Sequence, residues 1–98
     1  MIRIIYKWRL KKADELKFKA AWEKATTAIR ENTPGARGSF LLRSLKDPTE
    51  LLTIARWDRL EDWKAFWENP NRSEMNEMHI HAERLSEEVF YEIEDHTI

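Results

Sequence analysis

An α+β domain whose chain runs strand, helix, strand, strand, helix, strand is the fold class the sequence predicts. Three observations predict it. Residues 2–10 alternate with a period of two, the stretch after them switches to helical spacing, and two short apolar runs flank an Asp-Pro turn. In this order the elements form a split βαβ, or ferredoxin-like βαββαβ, arrangement: a four-stranded antiparallel sheet with its helices on one face.

The first strand is predicted over Ile2 to Leu10. Ile2, Ile4, Tyr6, Trp8 and Leu10 share one face, and Arg3, Ile5, Lys7 and Arg9 the other. A helix follows from about Ala13 to Glu31, with Phe18, Ala21, Trp22, Ala25, Ala28 and Ile29 on one side. It is expected to stop before Pro34-Gly35, where proline cannot continue a helix and glycine permits a turn. Phe40 to Leu45 and Leu51 to Trp57 read as a hairpin, because Lys46-Asp47-Pro48-Thr49-Glu50 between them carries turn chemistry. Asp58 with Glu61 resembles a capping box and opens a helix with a Leu60, Trp63, Phe66, Trp67 stripe. Asn69-Pro70-Asn71 interrupts it. Ser73 is expected to cap a third helix with Met75, Met78, Ala82 and Leu85 inward, and a last strand alternates from Val89 to Glu94.

The chain has 98 residues, enough for one domain over 1–98 with one sizeable core. It contains no cysteine, which excludes a disulfide framework, a thiolate nucleophile and Cys-ligated metal sites. With 17 basic and 18 acidic side chains the formal net charge is -1, so no cationic footprint for nucleic acid is present. No stretch approaches the ~20 apolar residues of a membrane span, and the beginning of the chain lacks a secretory apolar segment. A cytoplasmic protein with no membrane partner is therefore expected.

Helices on one side cover one sheet face only, yet the strands are apolar on both. Leu51, Ala55 and Trp57 fall on one side of the third strand and Leu52 and Ile54 on the other. Ile5, Leu52, Ile54 and Phe90 are the candidates for a second apolar face, whose simplest cover is another copy of the chain, giving a homodimer through the open sheet face.

Five Trp, four Phe and two Tyr must enter a core, a pocket or an interface. Trp22, Trp63, Phe66 and Trp67 lie on inner helical stripes, and Ala21, Ala25 and Ala28 keep the first helix thin beside them. Close helix–sheet packing is the better explanation of any one ring, but together the large rings next to small residues frame a flat cavity for a small aromatic substrate. Tyr6 and Tyr91 stand on the first and last strands, with hydroxyls that orient a ligand if they face the helices. Asn69 beside Pro70 offers an amide at the cavity mouth or simply makes the turn.

His79 and His81 flank the apolar stripe of the third helix. Two residues apart, they point about 200° apart and cannot chelate one ion together, and no metal site is expected. A histidine at such a margin has a pKa easily moved across neutrality, which suits general acid–base work. His79 with Glu83 and Glu77 with His81 also have the spacing for plain surface pairing. His96 is expected in solvent.

The opening strand, the Pro34-Gly35-Ala36-Arg37-Gly38-Ser39 turn, Asp47-Pro48, and the Trp57-Asp58 junction followed by Glu61-Asp62-Trp63 together carry a resemblance. In their order and spacing the chain resembles the antibiotic biosynthesis monooxygenase family of dimeric α+β barrels over nearly its whole length. Arg59 stands where relatives commonly have serine. The resemblance implies a homodimer with two facing sheets, and a small-molecule cavity between each sheet and its own helices. One branch of that family oxidises phenols or quinols with dioxygen and no metal or flavin. A second cleaves haem, using a histidine axial ligand, a first-strand asparagine and a second-helix tryptophan. His79 matches the ligand position; the asparagine position holds Lys7 or Trp8, and the tryptophan position Phe66, with Trp67 adjacent. The leading expectation is a cofactor-free monooxygenase for a small phenol- or quinol-like ring, with His79 as base and Trp22, Trp63 and Trp67 as aromatic wall. The alternatives are a haem-degrading enzyme with His79 on the iron, and a non-catalytic dimeric binding module.

Overall fold

The computed structural model describes residues 1–12 and 14–97. The elements are β1 (Ile2–Leu10), α1 (Glu15–Asn32), β2 (Ala36–Arg43), β3 (Glu50–Trp57), α2 (Leu60–Glu68), α3 (Asn76–His81) and β4 (Ala82–Tyr91). All pairings are antiparallel and the sheet order is β2-β3-β1-β4, so the ferredoxin-like α+β architecture expected from the sequence is the one observed. The expected start of α1 at Ala13 lies outside the described residues.

The alternation of β1 decides which way the sheet faces. Ile2, Ile4, Tyr6, Trp8 and Leu10 are all buried under the helices. Leu51, Thr53 and Trp57 of β3 pair opposite Trp8, Tyr6 and Ile2 and share that face. Phe18, Ala21 and Ala25 of α1, Phe66 of α2, and Met75 and Met78 around α3 close the core from above. Trp8 and Phe18 pack with ring centroids 5.2 Å apart and are both fully buried. The opposite face carries Ile5 and Ile54, which pair with each other, and Phe40, Leu42 and Phe90, which stay 57%, 46% and 49% exposed.

Several local expectations are corrected. Asp58 does not cap α2: both its carboxylate oxygens accept from Arg37 (2.7 and 3.1 Å), and Arg59 stands at the cap position, its side chain donating to Asp62 without capping the helix. A bidentate charged partner outcompetes the backbone N–H groups for that carboxylate. Ser73 does not cap α3 either. Its N–H donates to Glu74 Oε2 and its carbonyl accepts from the Asn76 N–H, while Met75 precedes the helix with no side-chain cap. The third helix ends at His81, so Ala82 and Leu85 belong to β4; pairing with β1 draws these residues into the sheet. That strand ends at Tyr91, leaving Ile93 outside it and 93% exposed. In the same way β2 begins at Ala36 and ends at Arg43, leaving Leu45 in the turn. The Asp-Pro turn forms as expected, with Asp47 Oδ1 accepting from the N–H and hydroxyl of Thr49.

Along β4 the register with β1 slips by one residue. Ser86 faces Lys7 but Arg84 faces Trp8, which leaves Leu85 as the extra residue of a bulge. Glu87 and Arg84, three apart, consequently both stand on the helix side, opposite Tyr6 and Trp8.

Gly35, between α1 and β2, has φ +83°. A Cβ there would lie 2.8 Å from Asp62 Cβ. Gly35→Ala therefore combines left-handed strain of roughly 1–2 kcal/mol with a clash against α2. The expected result is a urea midpoint lowered at unchanged m-value.

Candidate functional site

Between α1, α2 and the inner face of the sheet lies a crevice of ≈ 60 Å³. Ile4 and Tyr6 of β1, Thr53 and Ala55 of β3, and Ser39 of β2 form its floor; Trp22, Ala25 and Ile29 of α1, Trp63 and Phe66 of α2, and Met75 and Met78 form its walls. Of the three α1 alanines expected beside the rings, Ala25 lines the crevice while Ala21 and Ala28 do not. The space holds several waters but is smaller than the ~150 Å³ that a benzene-binding cavity offers. A planar guest therefore requires a wall to move. Trp22 is tethered, since its Nε1 donates to Ser39 Oγ at 2.8 Å and Thr26 Oγ1 lies 2.9 Å from the same oxygen. Half-buried Trp63 packs edge-on against Trp67, with ring centroids 6.4 Å apart, and its indole also bears on the Tyr6 hydroxyl. Trp63 is the less tethered wall.

Tyr6 is the polar centre of the crevice. Its hydroxyl accepts from Trp67 Nε1 at 3.0 Å and keeps its own proton. Burial, opposed by the Trp63 and Trp67 indoles, pushes the phenol from its ordinary 10.0 up to about 12, with the Glu87 carboxylate adding to the rise. It is a donor at any physiological pH. No carboxylate and no imidazole stands among the lining residues.

The structure brings Tyr6, Trp22, Trp63 and Phe66 together in this lining and places the other candidates elsewhere. Trp67 stands behind Tyr6, with ring centroids 6.2 Å apart. Tyr91 is 74% exposed at the far end of the edge strand. Asn69 ends α2 and its Oδ1 accepts from the Asn71 N–H, so it makes the turn. His81 pairs loosely with Asp14 at 4.0 Å, not with Glu77, which reaches Lys24. Glu83 lies on β4, so the expected helical pairing of His79 with it does not form. His96 is in solvent beside Glu94.

His79 is exposed on α3, outside the crevice lining, with its ring centroid 5.2 Å from that of Trp8. Partial burial and the cations Arg84, Lys11 and Arg72 hold it below the ordinary histidine range. As it stands the crevice is far smaller than a haem, and His79, the residue that would hold the iron, lies outside its lining beside the Trp8 indole. Among the described residues no cluster of three His, Cys, Asp or Glu side chains is placed to hold a metal ion. Among the described residues no helix is long and apolar enough to cross a membrane.

Ser39, Thr26 and Met75 were not singled out as site residues by the sequence. Thr26 was within reach: it follows Trp22 by four residues, so both share a helix face. Ser39 depends on an irregular pairing of β2, whose register shifts between Ala36 and Ser39.

A family model for antibiotic biosynthesis monooxygenases matches residues 1–78. No curated protein sequence matches the chain. Among solved structures, SnoaB, a cofactor-independent oxygenase from Streptomyces nogalater, superposes with a TM-score of 0.79 at 12% identity, covering 97% of this chain and 95% of SnoaB. MhuD, a haem-degrader from Mycobacterium tuberculosis solved with two haems in its active site, superposes with a TM-score of 0.70 at 18% identity, covering 97% and 98%. At these identities the likeness is one of fold.

Proposed function

Because the chain belongs to the antibiotic biosynthesis monooxygenase family, we propose that its crevice oxygenates a small phenol- or quinol-like ring with dioxygen and no resident cofactor. The observation that carries this reading is the crevice itself: ring-walled, nearly apolar, and holding one protonated phenol, Tyr6, as donor. The substrate supplies the electrons. A phenol with a free ring C–H plus one dioxygen gives one quinone plus one water, the ring losing four electrons and dioxygen gaining four.

The protein contributes binding and electrostatics. A phenolate entering a dry space loses its hydration, and the Tyr6 O–H is placed to donate to its oxygen, stabilising the anion that reacts with dioxygen. Trp22, held by Ser39, fixes one wall while Trp63 swings to admit the ring. His79, outside the lining, receives the phenolic proton at the surface in this reading and touches no reacting atom inside. A second copy of the chain covers the open sheet face, where Phe40, Leu42 and Phe90 are exposed. That cover stiffens the floor from which Tyr6 projects.

The test is oxygen uptake on a panel of mono- and bicyclic phenols, with quinone measured in parallel. One dioxygen consumed per quinone formed is expected. Trp63→Ala, which enlarges the space, is expected to move the preference toward bicyclic rings. No uptake across the panel, or a preference indifferent to Trp63, overturns the reading.

A further inference from the structure

Three cations beside the crevice take no part in the chemistry above, Lys11 after β1, Arg72 between α2 and α3 and Arg84 on β4, and they surround His79 on α3, which does. They converge on one small region. The Arg72 guanidinium carbon lies 3.8 Å from the Trp67 ring centroid, and that of Arg84 lies 5.1 Å from the same ring. Arg84 also lies 5.0 Å from the Tyr6 ring, which lines the crevice. Lys11 Nζ donates to the His79 carbonyl at 3.2 Å, which brings a third cation beside the imidazole. The Arg72 Nε donates to the Trp67 carbonyl and orients the fork.

Two of these cations lack a counter-charge and the third has only a distant one. Arg3, Arg37, Arg43, Arg56 and Arg59 each meet a carboxylate within 3.5 Å. Arg72 and Lys11 meet none among the described residues, and the nearest acid to Arg84 is Glu87 Oε1 at 4.0 Å. No N–H of Arg84 makes a hydrogen bond among those residues, and its Nη1 is shut from solvent without an acceptor. A guanidinium seated on ring faces with one donor buried and unpaired favours the arrival of an acceptor. All three charges act on His79 and lower its pKa.

We propose that Lys11, Arg72, His79 and Arg84 form a seat for a ligand carboxylate, and that the ring admitted to the crevice is a hydroxylated aromatic acid. The inference rests on the crevice reading for the ring, and on the cation cluster alone for the acid group. Tyr6 joins the two, since one ring both lines the crevice and carries Arg84. The carboxylate takes paired N–H bonds from a guanidinium, and the indole of Trp67 sets the orientation of both forks.

Titrating the full chain with acetate, phenol and 4-hydroxybenzoate at matched ionic strength tests this, by Trp fluorescence and by the NMR titration of His79. The expected result is that 4-hydroxybenzoate binds on the order of tenfold more tightly than phenol. It is also expected to raise the His79 midpoint, because an anion offsets the surrounding positive charge. Arg72→Gln and, separately, the exposed Lys11→Gln are expected to shrink that preference without unfolding the chain. Equal binding of phenol and 4-hydroxybenzoate with His79 unmoved overturns the seat and leaves the crevice reading standing. If acetate and 4-hydroxybenzoate both move His79 while phenol does not bind, the seat stands and the crevice reading falls. If neither anion moves His79, the seat is overturned.

Discussion

Replacing Trp8 with alanine is expected to remove about 3–5 kcal/mol of stability, the range for deleting a fully buried large ring. The indole has no solvent exposure, packs between Phe18 and His79, and donates Nε1 to Thr53 Oγ1 at 3.0 Å. Alanine leaves a void and an unpaired buried hydroxyl, which adds about 1 kcal/mol. Since domains of this kind have only ~5–15 kcal/mol in all, a third or more of the margin goes. Urea unfolding measures it, and Trp8→Phe with Thr53→Val separates the two contributions. That pair keeps most of the apolar volume and removes both polar partners, so it is expected to recover more than half of the loss. A cost below about 1 kcal/mol for the alanine variant contradicts the packing described here.

Tyr6→Phe is expected to lower kcat by roughly 10²-fold, the loss typical of one donor aimed at a developing oxyanion. His79→Ala is expected to lower it less than about tenfold, because His79 stands outside the crevice. Reversed magnitudes reassign the chemistry to α3. The phenol also leaves a signature in stability. Its folded pKa of about 12 exceeds the ordinary 10.0, so the folded state holds the proton longer than the unfolded one. The corresponding stabilisation, about 3 kcal/mol, is full below pH 10 and disappears as pH rises through 12. The difference in unfolding free energy between the native chain and Tyr6→Phe, followed over that window, isolates Tyr6 from the lysines that titrate alongside it. A difference that does not change with pH refutes the assignment.

Strands whose own alternation matched their burial were legible from sequence. In β1 every second residue from Ile2 to Leu10 is apolar and every one is buried, so local pattern and tertiary fate agree. The inner stripe of α1 was legible for the same reason. The α3–β4 junction was not, because Met75, Met78, Ala82 and Leu85 keep helical spacing straight across it. Pairing with β1, a contact more than 70 residues away in sequence, settles it. The cap failed at Asp58 because Arg37, remote in sequence, claimed its carboxylate, and at Ser73 because the helix begins only at Asn76. At the site, sequence periodicity located the rings of α1 and α2 but not their separation. Whether Trp67 faces the crevice or stands behind Tyr6 depends on a hydrogen bond between residues 61 apart.

The extra residue at Leu85 carries a consequence for descent with modification. Upstream of it the last strand runs out of phase with its downstream half, so excising the Leu85 codon would leave an unbroken ladder in which residues 82–84 keep their present sides. Arg84 would stay opposite Trp8, on the side of the aromatic rings, and no other side chain would change its identity. The strand is thus open to a one-residue deletion at this position, a kind of change that alignments scored by substitution alone pass over.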